Sequence, residues 1–210
     1  MSILEILGTA FGIGLLAGIR LYATVLAVGL GVRWGIFELS PELEQLKVLA
    51  ETPVLALAGA AYLIEFFADK IPWLDSAWDA LHTFIRPLGA ALLGAAAFGS
   101  LDPKARVLLA ILCGGVALAG HGSKAATRLV INQSPEPFSN AAVSVAEDAI
   151  VPPAVWFVMA FPVATLVIVG CFLALFLWLA PKLFRLIRAQ LAAAGQLARR
   201  MFGPSKGSAN

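Results

Sequence analysis

Charged side chains are scarce in this sequence. They make up 13% of its 210 residues, about half of the roughly 25% usual in soluble domains. A soluble chain this short keeps much of its surface in water and needs charge to cover it. Cysteine is nearly absent: Cys113 and Cys171 both sit inside apolar runs and offer neither a disulfide framework nor metal-ligand spacing. Only two histidines occur, His82 and His121, and no paired-histidine motif. A metal centre is therefore not expected, and no cofactor is. No Gly-x-Ser-x-Gly elbow or other nucleophile signature is present. Aromatic and basic residues interleave too little for nucleic-acid binding. The net charge of +2 is informative only through its placement.

What is abundant is apolar residue, 60% of the chain, gathered into long runs. A helix needs roughly 20 residues to cross about 30 Å of hydrocarbon. Continuous runs of that length favour helices over the short alternating segments of a β-barrel. The expectation is an all-α, polytopic integral membrane protein with about five or six transmembrane helices. Candidate spans are Ile3 to Val32, interrupted near Gly18, Arg20 and Tyr22; Thr52 to Phe67; and Ala80 to Gly99, with Arg86 and Pro87 inside it. A fourth starts at Asp102-Pro103, an N-cap followed by proline at the first helical position. A weaker element covers Asn140 to Val151. The last run, Val151 to Ala180, reads as one tilted helix or two broken pieces around Pro152, Pro153 and Pro162.

Residues 1–181 are read as one transmembrane domain. Glu5 and the lack of Lys or Arg before Arg20 argue against a cleaved signal peptide, so the first run is expected to stay as a span. Ser40-Pro41-Glu42 starts a small helix carrying Leu43, Leu46 and Leu49 in an acidic loop, and Asp75-Ser76 caps another before Trp78, Leu81 and Ile85; both read as interfacial helices or extensions of spans. The tail, 182–210, is amphipathic and basic, with Lys182, Arg185, Arg188, Arg199, Arg200 and Lys206. The positive-inside rule puts it in the cytoplasm, with the chain in a bacterial inner membrane. Such a tail also attracts anionic headgroups.

An internal repeat suggests itself. Leu16-Ala17-Gly18 opens one polar interruption and Leu118-Ala119-Gly120 another. Glu65, Asp69 and Pro72 follow the first; Glu147, Asp148 and Pro152 follow the second. Residues 1–100 and 101–181 would then be inverted three-helix repeats with broken or re-entrant segments, as in many secondary transporters. Common membrane-helix letters give the same likeness by chance.

Ionisable groups inside a span are costly and mark function by default. Arg20 lies too deep in the first run to snorkel from either end. It reads as a ligand for an anionic group, with Tyr22 beside it, or as a structural partner of Glu65 or Asp69. Glu65 and Asp69 share one helix face and serve either coupling or pairing with Lys70 or Arg86. In Gly120-His121-Gly122-Ser123-Lys124 the glycines permit a tight turn. A helix beginning near Ser123 would attract an anion, helped by Lys124 and Arg128; a plain membrane-edge turn is the other reading. It is no P-loop, because the Gly-Lys-Ser/Thr order is missing. Residues 133–140 form a polar connector or a gating loop. Ser144 and Glu147 fit a capping box, which gives Glu147 a structural role and leaves Asp148 for coupling.

The segments LAGIRLYATV (16–25), EFFADKIPWLD (65–75), HTFIRP (82–87), GHGSKAATR (120–128) and SPEPFSN (134–140), with Glu147-Asp148, carry a resemblance. The chain resembles the bacterial and plastid membrane proteins grouped as domain of unknown function 4126, over roughly residues 5 to 180. The resemblance implies a multi-span membrane fold and no catalytic assignment.

Three functions fit. The first is a small transporter or flippase-like protein for an anionic solute or lipid headgroup. Arg20, Tyr22, Gly120, His121, Gly122, Ser123, Lys124 and Arg128 would bind substrate; Glu65, Asp69, Glu147 and Asp148 would couple or pair. The second is a structural or assembly protein whose charges only join helices. The third is a membrane enzyme on a lipid. The expected partners are the bilayer, an anionic lipid or small anion, and a second copy of the chain; Gly8–Gly12 and Gly14–Gly18 permit close packing against either another helix of this chain or a helix of that copy.

Overall fold

A computed structural model describes residues 1–131 and 137–202. Every regular element among them is helical: α1 (Ile3–Ile19), α2 (Leu21–Arg33), a 3-10 helix (Pro41–Ala50), α3 (Thr52–Ala68), α4 (Pro72–Ala97), α5 (Pro103–Ile131), α6 (Pro137–Ala160) and α7 (Pro162–Phe202). The chain divides into two compact units, Met1–Leu173 and Ala174–Asn210. Prolines open several helices, where the missing N–H has no intrahelical partner to lose. At α5 the Asp102 carboxylate accepts from the Lys104 and Ala105 amides at 2.9 and 3.2 Å, the cap its sequence signalled.

Four described helices are long and apolar enough to cross a membrane, or five if the 3-10 helix and α3, bent by 69°, make one span. The protein is a polytopic helical membrane protein. Its large apolar side chains point outward on successive helices: Leu57, Ile64 and Phe67 on α3, Phe84 and Leu88 on α4, Val107 and Ile111 on α5. Buried inside are arginines, carboxylates and histidines. That inversion suits a hydrocarbon solvent, since water-soluble monomers rarely expose contiguous apolar patches above a few hundred Å².

The first run is not one span. It breaks at Arg20, whose φ of −146° and ψ of 83° are not helical. Beyond the break the chain doubles back. Cys113 of α5 donates to the Ala10 carbonyl at 3.2 Å and lies against Gly94 of α4. Leu92 and Leu93, at that level of α4, line a groove with Leu21 and Val25 of α2. Earlier on α4, Arg86 reaches the Gly18 carbonyl. α1 and α2 therefore form a hairpin whose tip is Arg20. At about 1.5 Å per residue, each arm falls short of about 30 Å of hydrocarbon.

Several expectations change. The element expected at Asn140–Val151 is continuous with the run after it: α6 passes through Pro152 and Pro153, and the break falls at Phe161, before Pro162. Of the two readings of Asp75-Ser76, the extension of a span is the one found, because α4 is continuous from Pro72 through Pro87. The small-residue spacings are used within the chain. Gly14 and Gly18 pack on Cys113 and Ala117 of α5, and Gly8 and Gly12 on Pro162, Val158 and Thr165. The order of those contacts makes α1 and α5 run the same way, with Gly120 against Leu15. Inverted repeats would set these two helices opposite, and four helices precede α5 rather than three.

In the second unit, the Lys182 ammonium sits over the Trp178 ring, 3.2 Å from its centroid, and Arg185 Nε donates to the Pro181 carbonyl at 3.2 Å. The connector at 132–136, the side chains of Arg188, Arg199 and Arg200, and Lys206 lie outside the described residues.

The two cysteines provide a check on the packing. Cys113 is buried between helices and Cys171 is exposed. Membrane-permeant N-ethylmaleimide should spare Cys113 until the protein is denatured, as read by mass of the intact chain, and should modify Cys171 slowly, because at the middle of the Pro162–Lys182 span that thiol faces hydrocarbon, where the reactive thiolate is disfavoured. Rapid modification of Cys113 in the folded protein would refute the α1–α4–α5 contact.

Candidate functional site

Two chain reversals meet at one end of the bundle, the α1–α2 tip and the α3–α4 turn, and the facing stretches of α5 and α6 lie beside them. There each helix turns a polar stripe inward. On α3 it is Glu65 and Asp69, one turn apart. On α4 it is Asp75, Asp79, His82 and Arg86, at helical spacing. On α5 it is His121, Lys124 and Arg128; on α6, Ser144, Glu147 and Asp148. Arg20, Glu65, Asp69, Asp75, His82 and Arg86 are all 0% exposed.

Arg20 is the hub. Its guanidinium pairs with Asp69, and lies 3.3 Å from Glu147 and 3.3 Å from Asp148. It also donates to the Ser144 carbonyl and hydroxyl at 3.0 and 2.9 Å. No glycine or proline stands at position 20, so the break rests on these tertiary partners and on Thr24, whose hydroxyl donates to the Arg20 carbonyl at 2.7 Å. Lys124 donates to Asp69 at 2.8 Å and lies 3.7 Å from Glu147 and 3.8 Å from Asp79. Arg128 pairs with Glu147 at 3.1 Å.

Arg86 forms a second hub. It donates to Glu65 at 2.7 Å and to His121 Nδ1 at 2.8 Å, and lies 3.4 Å from Asp79. Guanidinium has no acceptor, so His121 Nδ1 carries no proton. Its Nε2–H then donates to Thr83 at 3.0 Å, and Thr83 donates to the Asp79 carbonyl at 3.0 Å. His82 donates from Nδ1 to the Trp78 carbonyl at 2.8 Å, and its Nε2 shares a hydrogen bond with the Tyr22 hydroxyl at 3.3 Å. The His121 tautomer follows from the hydrogen-bond network, and that ring is neutral.

Among the described residues, this end of the bundle holds six carboxylates against five cations, Lys70 of the α3–α4 turn among them. Carboxylates and cations alternate, and no group of three or more His, Cys, Asp or Glu among the described residues is arranged to hold a metal ion.

Arg20, Tyr22, His121, Lys124, Arg128, Glu65, Asp69, Glu147 and Asp148 thus come together. Gly120, Gly122 and Ser123 do not join the polar contacts. The stretch 120–124 lies inside α5, which is unbroken, so no helix begins at Ser123 to hold an anion there. Ser144 and Glu147 form no cap: they stand within α6 and face Arg20. Lys70 pairs with neither carboxylate here; its ammonium sits 3.0 Å from the Phe66 ring centroid. Sequence reasoning left out Asp75, Asp79, His82, Thr83, Arg86 and Ser144 as site residues, naming Arg86 only as a pairing partner. The spacing of 75, 79, 82, 83 and 86 was the signal, hidden because 75–79 read as a cap and an amphipathic turn.

Residues 7–182 match the family described as Domain of unknown function (DUF4126). The chain belongs to this family. The match takes in every helix that contributes to the charged cluster. Comparison with curated proteins and with solved structures returned no match.

Proposed function

We propose that this DUF4126 protein is a small transporter or flippase-like protein in which protons and an anionic solute or lipid headgroup compete for the same buried cations. The observation that carries this reading is the network at the hairpin tip. Charges this deeply buried among membrane helices are expensive unless paired, and here they are grouped in excess of what pairing requires. With all six carboxylates ionised, Arg20, Arg86, Lys124 and Arg128 are occupied and an anion has no place. Each proton taken up by a carboxylate removes one competitor and frees positive charge. Proton uptake and anion binding would then be coupled. The basic tail favours a cytoplasmic C-terminus in a bacterial inner membrane.

The test uses proteoliposomes with a trapped pH dye and imposed gradients of chloride, phosphate or acetate, and in parallel the scrambling of a labelled anionic phospholipid. One of these should move through the wild type. Lys124→Gln should lower that flux at least tenfold while leaving the Arg20 contacts in place. Flux equal to that of empty liposomes for every probe would sink the proposal.

A second reading has its own support: Arg20, Arg86, Lys124 and Arg128 are each already paired. A purely structural network predicts that Arg20→Glu with Asp69→Arg restores expression lost by either change alone.

A further inference from the structure

Outside the network's core, one cavity stands apart. It lies between α2, α3 and α6 and has a volume of about 350 Å³, the low end of the roughly 300–1,000 Å³ typical of ligand pockets. Its walls are apolar along nearly their whole length: Ala27 and Leu30 of α2, Val155 and Trp156 of α6, with Trp34 at one end. Two polar groups line it, Tyr62 and Asp148. Ala23 to Trp34 spans about 16 Å at about 1.5 Å per residue, close to half of the about 30 Å hydrocarbon core. The pocket is thus one leaflet long.

Asp148 decides the polarity of the occupant. Its side chain is 9% exposed, and Arg20 Nε lies 3.3 Å from Oδ1. The Tyr62 hydroxyl is the neighbouring donor, and neither Asp148 oxygen has a hydrogen bond of full geometry, so acceptor sites remain. A buried carboxylate with open acceptor sites is satisfied by a donor. An anionic head would meet a like charge, because Asp148 stands between the pocket and Arg20. A quaternary ammonium brings charge without an N–H.

We propose that this pocket binds a single-chain amphiphile with a primary ammonium head, its head on Asp148 and its chain along α2 and α6 toward Trp34. The occupant enters from the bilayer and touches the charge network at Asp148. The inference goes beyond the transport reading and does not depend on it, because it concerns equilibrium binding only.

The experiment uses the full chain in nanodiscs and reads tryptophan quenching by chain-brominated probes, since Trp34 and Trp156 line the pocket. The probes are dodecylamine, dodecyltrimethylammonium and dodecyl sulfate. Dodecylamine should quench saturably, at least tenfold tighter than the trimethylated probe, with dodecyl sulfate weakest. Asp148→Asn should erase the preference between the two cations. Ala27→Phe should abolish saturable quenching by all three, and Ala27→Leu, a smaller fill, should weaken it if the phenylalanine variant does not fold. Equal quenching by all three probes in the wild type means partition into the surrounding lipid and overturns the proposal. So does binding that neither substitution at Ala27 changes, or a dodecylamine preference that survives Asp148→Asn.

Discussion

Arg20→Ala should cost about 3–5 kcal/mol of stability, the loss expected when one partner of a buried ion cluster is removed. The size follows from what is left behind. Asp69, Glu147 and Asp148 lose the guanidinium they share, and Ser144 loses its donor. Asp69 keeps Lys124 at 2.8 Å and Glu147 keeps Arg128 at 3.1 Å, so Asp148 is the carboxylate most exposed to the change. The hairpin tip should loosen as well, because the non-helical backbone at position 20 is held by the side chain. Unfolding of purified protein in detergent, followed by size-exclusion profile against temperature, measures the loss. Arg20→Lys should recover only part of it: a single ammonium cannot reach three carboxylates and the serine together. Adding Asp148→Asn to Arg20→Ala should return a fraction of the stability. A variant within about 0.5 kcal/mol of wild type, the range of ordinary surface changes, would show that the cluster is solvated rather than buried.

The second large effect lies at the α1–α5 contact. A Cβ on Gly14 would come 2.8 Å from the Cys113 carbonyl oxygen, and one on Gly18 would overlap the Ala117 backbone. Neither obstacle is a flexible side-chain end, so α1 must move away from α5. Gly18→Ala should therefore destabilise by about 1–3 kcal/mol, the usual cost of overpacking. Gly18→Leu should prevent assembly of the native bundle. Gly115→Ala is the control: it sits on the exposed side of the same α5, with nothing within 4 Å of a new Cβ. It should be neutral or gain up to about 1 kcal/mol from the lower entropy of alanine in the unfolded chain. If the two alanine variants melt together, the close approach of α1 and α5 is wrong. Gly18 also sets the position of the neighbouring Arg20, so loss of the contact should lower any flux assigned to the network.

The membrane class, the helical class and the family were all legible in the sequence. Apolar runs of 20 residues leave few other folds, because hydrocarbon offers no partner for an open backbone. The interruption at Arg20 was legible for a related reason: an arginine that deep must have a partner. Its acidic partners Asp69, Glu147 and Asp148 were among the residues the sequence singled out, since few ionisable groups lie in the runs. Only the tertiary structure decided how these residues are used. Hydropathy is the same for a span and for a hairpin arm, so α1 and α2 read as one interrupted span until their contacts with α4 and α5 showed the chain turning back. A Gly-His-Gly-Ser-Lys segment has the composition of a turn, yet packing against Leu15 and Gly18 keeps it within α5. Asp75 and Asp79 looked like the start of a surface helix, yet the bundle buries them. The same few charges in the same order could line two interfaces or meet at one end. Their meeting depends on the α1–α2 tip and the α3–α4 turn being brought to one level with α5 and α6, and contacts between elements far apart in sequence set that level.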